Sequence, residues 1–104
     1  MKPFMTHLAA LIFMLNHVFV SAQTSVLFIG NSFTYGYGSA TKYSRSDSVT
    51  DLNNDGIGGV PALFNSFTEQ AGLEYDVFLE TRSGNAFDFH LENKLAEIGT
   101  QPWD

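Results

Sequence analysis

Three places in this 104-residue sequence hold side chains able to do chemistry. The first is Gly30-Asn31-Ser32-Phe33-Thr34, which directly follows the apolar run Val26-Leu27-Phe28-Ile29. A serine hydroxyl at the carboxyl end of a buried strand is lifted out of the core on a rigid support, which suits a nucleophile. Gly-Asn-Ser is also ordinary turn chemistry, and the tripeptide alone reads as no more than that. The second place is Asp51-Leu52-Asn53-Asn54-Asp55-Gly56, which matches the opening of an EF-hand-like loop. Asp51, Asn53 and Asp55 put oxygen ligands at alternate positions, with glycine at the sixth. The twelfth position, where a bidentate Glu belongs, is Ala62. These three are therefore weak metal candidates, and a polar Asx-rich turn is the plainer reading. The third is His90, which falls three residues after Phe87 at the margin of an apolar helical stripe. It reads as a packing or surface residue that could line a pocket. Tyr35, Tyr37 and Tyr43 could border a sugar or acyl site, or simply cover the loop.

The elements that must position these residues follow from periodicity. Ser25 to Ile29 is a continuous apolar strand wanting burial on both faces, as a central parallel strand does. Residues 36–59 are rich in Gly, Ser, Thr, Asn and Asp and read as one long polar loop. A helix follows, with Val60, Leu63, Phe64, Phe67 and Ala71 on one stripe, Pro61 in its first turn and Gly72 at its stop. Tyr75 to Thr81 alternates as a strand. Arg82 to Asn85 is a glycine-containing turn, with Asn85 a candidate N-cap. The next helix carries Phe87, Leu91, Leu95 and Ile98 as its apolar stripe and ends at Gly99. Strand, helix, strand, helix implies parallel pairing and an α/β layered fold. Gln101 to Asp104 reads as a loop feeding a further strand, so the sequence is expected to stop mid-fold.

Composition narrows the function classes. Residues 1–22 have the layout of a secretory signal peptide: Lys2, the apolar run Leu8 to Leu15, then Val20-Ser21-Ala22 before the expected cleavage. Asn16 and His17 cut the run short of the roughly 20 residues a membrane span needs. From Gln23 onward, Lys42, Arg45, Arg82 and Lys94 face all eleven acidic residues. Nothing forms the basic face that nucleic acid or an anionic membrane requires. Without cysteine there are no disulfides, no thiolate metal sites and no cysteine nucleophile. An exported, disulfide-free chain of this kind is expected in a bacterial periplasm or secreted.

Taken together, Val26 to Gly36 resembles the first conserved block of the SGNH (GDSL-like) hydrolases, in the branch reading Gly-Asn-Ser. The resemblance continues through Val60-Pro61-Ala62-Leu63-Phe64, then Ser83-Gly84 with Leu91 beyond it, and finally Trp103-Asp104. It covers residues 23–104 and the first half of that family's domain. It implies the N-terminal β-α-β-α portion of a flavodoxin-like parallel-sheet sandwich, apparently truncated. Ser32 would then be the nucleophile of an esterase or carbohydrate acyl-esterase, forming an acyl-enzyme. The backbone N–H groups of Ser32 and Gly84 would serve as oxyanion donors, typically worth ~3–4 kcal/mol each. The substrate would be a small ester or acylated carbohydrate, with no cofactor. The family's third oxyanion donor and its C-terminal Asp-x-x-His block have no counterpart here. His90 does not match the base, so the chain by itself is expected to be catalytically weak or inactive. Two alternatives stay open: a non-catalytic secreted binding module with a weak calcium loop, and a non-functional gene fragment.

Overall fold

The computed structural model describes residues 23–104; the segment read as a signal peptide, residues 1–22, lies outside them. Three parallel strands form one sheet: β1 (Thr24–Gly30), β2 (Thr50–Asp51) and β3 (Tyr75–Thr81), in the order β1-β3-β2. Helices α1 (Ser32–Tyr35), α2 (Gly59–Gln70), α3 (Phe87–Asn93) and α4 (Leu95–Ile98) complete the α/β domain. The strand and helix boundaries of Tyr75–Thr81 and of the helix beginning near Val60 fall where periodicity places them.

Three features differ from the sequence reading. The polar stretch 36–59 is not wholly loop: it holds a short 3-10 turn, Ser46–Ser48, and β2, which pairs Thr50 with Phe78 and Asp51 with Leu79. A two-residue strand is too short to leave a periodic signal. The middle position in the sheet belongs to β3 rather than β1, and β3 holds the buried Val77, Leu79, Glu80 and Thr81. Finally, the second predicted helix is interrupted at Lys94 into α3 and α4. Its N-cap residue is Ala86, while the Asn85 amide donates to the carbonyl of Ser83.

Side-chain alternation along β3 sends successive residues to opposite faces. On one face Leu79 joins Tyr35 and Ile57 in the core, with Phe28 and Val49 packed against them. Phe64 of α2 bridges Phe28 and Tyr75 by edge-on ring contacts at 5.3 and 5.0 Å, so α2 covers this face. The start of α2 comes very near α1 because Gly59 has no side chain: a Cβ there would lie 2.7 Å from the Tyr35 Cα, and its φ is +60°. That approach turns Pro61, Ala62 and Asn65 inward, and leaves Val60 and Phe67 of the expected stripe exposed.

The other face of β3 carries Phe78 and Glu80. Trp103 stacks edge-on against Phe78 at 5.0 Å, and its indole N–H donates to the Ile98 carbonyl. Asp104 docks on the outer edge of β1, donating its N–H to Ser25 O and accepting the Ser25 N–H on its carboxylate. Here α3 presents His90 to the sheet, not the apolar stripe. Phe87 and Leu91 are 72% and 65% exposed, whereas His90 is 2% exposed. The buried partner that fixes this rotation is Glu80.

Candidate functional site

Parallel pairing gathers the chemistry-bearing loops at one end of the sheet. Gly30 pairs with Thr81, so the Asn31-Ser32 turn and the Arg82–Asn85 turn leave the sheet side by side. The Arg82 N–H donates to Gly30 O at 3.1 Å, and the Asn31 side-chain amide donates to Asn85 O at 3.2 Å. Asn31 also caps α1, accepting the Phe33 N–H on its side-chain oxygen at 3.1 Å. Ser32 opens α1, whose last carbonyls are closed by Gly36 in the left-handed region, its N–H donating to Ser32 O. A Cβ on Gly30 would collide with the Thr34 side chain, so glycine is what permits this tight exit from β1.

Ser32 and Gly84 thus sit on neighbouring turns at the carboxyl end of β1 and β3. Gly84 has φ +71° and open space where a side chain would stand. Among the described residues, the Ser32 hydroxyl and the N–H groups of Ser32 and Gly84 have no hydrogen-bond partner. Ser32 borders a shallow depression shared with Phe33, Gly36, Tyr37 and Ser39, none of them a general base.

His90 is held elsewhere. Its Nδ1 is hydrogen-bonded to the Glu80 carboxyl group. The other Glu80 oxygen accepts from the Asn53 amide at 2.8 Å, and Lys94 donates to Asn53 Oδ1 at 2.9 Å. Glu80 and His90 are buried, while Asn53 and Lys94 carry the contacts out toward the surface. Nε2 of His90 has no partner among the described residues, and His90 borders a cavity of about 260 Å³, lined also by Ile29, Asn31, Thr34 and Phe87. Ser32 does not border that cavity. His90 and Ser32 therefore border different depressions, although Asn31 and Thr34 beside Ser32 line that of His90.

The Asp51–Gly56 segment is a self-contained turn. Asp51 accepts the N–H groups of Asn53, Asp55 and Ile57 on its two carboxylate oxygens, at 2.9, 3.1 and 3.2 Å. Asn53 is turned away to Glu80 and Lys94, and Asp55 is exposed. The three oxygen ligands do not converge on a point. Among the described residues no group of three His, Cys, Asp or Glu side chains is placed to hold a metal ion.

A larger cavity, about 550 Å³, lies on the α2 face of the same sheet end, bordered by Tyr35, Lys42, Tyr43, Thr81, Arg82 and Ser83. The Lys42 ammonium stands over the Tyr35 and Tyr43 rings at 5.0 Å and near the Tyr37 ring at 5.8 Å. Hydrogen bonding with Tyr43 raises the Lys42 pKa above its ordinary 10.5, and the charge fields of the three tyrosines add to this. The sequence offered a hint of this cluster in the spacing of Tyr35, Tyr37, Lys42 and Tyr43. For Glu80 the hint was an acid directly after the apolar run Val77-Phe78-Leu79, ten residues before a histidine.

No described helix is long and apolar enough to cross a membrane. Compared with protein-family models, curated proteins and solved structures, the chain matches none.

Proposed function

We propose that this chain carries the nucleophile and two oxyanion donors of an exported serine ester hydrolase of the SGNH type, acting on small esters or acylated carbohydrates. The observation that carries the reading is the parallel register of β1 and β3, which sets the Ser32 and Gly84 turns side by side and ties them through Asn31 and Asn85. In this reading Ser32 Oγ attacks the ester carbonyl carbon. The resulting oxyanion is held by the N–H groups of Ser32 and Gly84. The C–O bond to the alcohol breaks, the alcohol leaves with a proton, and water then hydrolyses the acyl-serine.

No side chain bordering the Ser32 depression can take the hydroxyl proton. Attack on unactivated esters by the chain as described is accordingly slow. An activated ester, whose leaving group needs no protonation, bypasses part of that deficit. Treatment with p-nitrophenyl acetate, followed by peptide mass mapping, should find one acetyl group on Ser32, absent from Ser32→Ala. A folded protein that acquires no adduct at Ser32, or the same adduct pattern in the variant, would remove Ser32 as the nucleophile.

A further inference from the structure

The protein is acidic overall, yet its basic side chains are unevenly spent. Of the four basic residues in the described part, Arg45 pairs with Glu69 at 3.3 Å and Lys94 lies 3.7 Å from Glu97. Lys42 and Arg82 pair with no carboxylate among the described residues, and both border the 550 Å³ cavity. Each is held instead by aromatic rings: Lys42 by the three tyrosines, and Arg82 over Phe89 at 5.7 Å. Aromatic faces fix a cation's position without cancelling its charge. The cavity is therefore bordered by two cations that no carboxylate pairs among the described residues, against the single carboxylate of Asp55 on its rim.

A second, independent observation points the same way. Thr81 also borders this cavity and is 4% exposed, and its hydroxyl has no hydrogen-bond partner among the described residues. Alternation along β3 directs Thr81 to the face that carries Leu79, Tyr35 and Ile57, where the cavity lies. A buried, unsatisfied hydroxyl costs free energy unless something pairs with it. Asp55 stands on the same rim with its carboxylate unpaired and exposed, an acceptor suited to hydroxyl groups on a ligand. The exposed Tyr43 ring supplies apolar surface for the C–H groups of a saturated ring. The volume lies within the range of small-molecule pockets, about 300–1,000 Å³.

We infer that the cavity between Lys42 and Arg82 is a binding site for an acidic sugar, a hydroxyl-rich ring bearing one anionic group. The anion sits between the ammonium and the guanidinium, and ring hydroxyls engage Thr81 Oγ1 and Asp55. This binding does not require Ser32 to be a nucleophile.

The test is titration of the purified protein with glucuronate, glucose 6-phosphate and glucose, followed by amide chemical shifts. Glucuronate should bind at least tenfold more tightly than glucose, with shifts centred on Thr81–Ser83 and Tyr35–Tyr43, and more weakly as salt is raised. Lys42→Gln and Arg82→Gln should each weaken glucuronate about tenfold or more, as loss of a charged hydrogen bond does. Thr81→Val should weaken it several-fold while leaving thermal stability intact, since that hydroxyl has no partner to lose. Equal binding of glucose and glucuronate, or no binding by a folded protein, overturns the inference. Binding of the phosphate sugar alone overturns the carboxylate arm and keeps the anionic-sugar site. Ser32→Ala should bind glucuronate as the parent does, so failure of the hydrolase reading and failure of this site are separately visible.

Discussion

Glu80 is the residue whose loss should be felt most, because its carboxylate is wholly buried and both its oxygens are in use. Replacing it with alanine strands His90 Nδ1, and Nε2 of the same ring is already without a partner. The Asn53 amide nitrogen would keep only its longer bond to Thr81 O at 3.2 Å. Leaving a buried hydrogen-bonding group without its partner typically costs about 1–3 kcal/mol, and more where the group is charged. Against the roughly 5–15 kcal/mol that holds a domain together, Glu80→Ala should leave a marginal protein. Glu80→Gln is gentler. Its carbonyl can accept from His90, but its amide then meets the Asn53 amide donor. Asn53 cannot flip in response without turning that same donor toward the Lys94 ammonium. A cost of about 1–3 kcal/mol follows. The double variant Glu80→Leu with His90→Leu removes both polar partners together and should cost less than Glu80→Ala alone. Urea unfolding followed by circular dichroism, at constant m, reads all three. The reasoning fails if Glu80→Ala costs under about 1 kcal/mol, or if the double variant is as unstable as the sum of its singles.

Two further predictions concern the loops beside the candidate site. Gly59→Ala forces a side chain against Tyr35 at φ +60°, whereas Gly38→Ala at φ +75° meets open space. The first should lower stability by well over 2 kcal/mol and the second by only about 1, the left-handed penalty alone, as urea midpoints will show. For Lys42 the folded pKa is raised above 10.5, so its charged form is favoured by folding. The associated stability is complete below the unfolded pKa and is lost as pH rises through the higher folded value. The stability gap between the parent protein and Lys42→Gln should therefore be flat through neutral pH and narrow only above 10.5. An Nζ titration by NMR with its midpoint at or below 10.5 would contradict this.

Local pattern was enough to locate β1, α2 and β3, because each has a run long enough for its periodicity to stand out. It also placed Ser32 at a strand end and Gly84 in a turn, since glycine and small polar residues mark exits from regular structure. The Asp51 turn was legible for the same reason: Asx side chains cap their own loop. The rotation of α3 was not. Phe87, Leu91 and Leu95 make a persuasive stripe, yet His90 faces the sheet because Glu80, ten residues earlier, supplies a buried partner for it. β2 escaped notice because two residues carry no period, and its pairing with β3 depends on a strand that follows it in sequence.

The alternation of strands and helices, the acidic balance and a serine directly after the first strand are all written in the local sequence. These depend on neighbours within a few positions. Only the tertiary structure decided which side chains share a cavity. It turned His90 onto Glu80, and it brought Lys42, Thr81 and Arg82 to one pocket from segments some forty residues apart. The reason is physical: burial and charge pairing depend on what lies across the sheet, and the register of β1, β2 and β3 brings together residues that no local window contains.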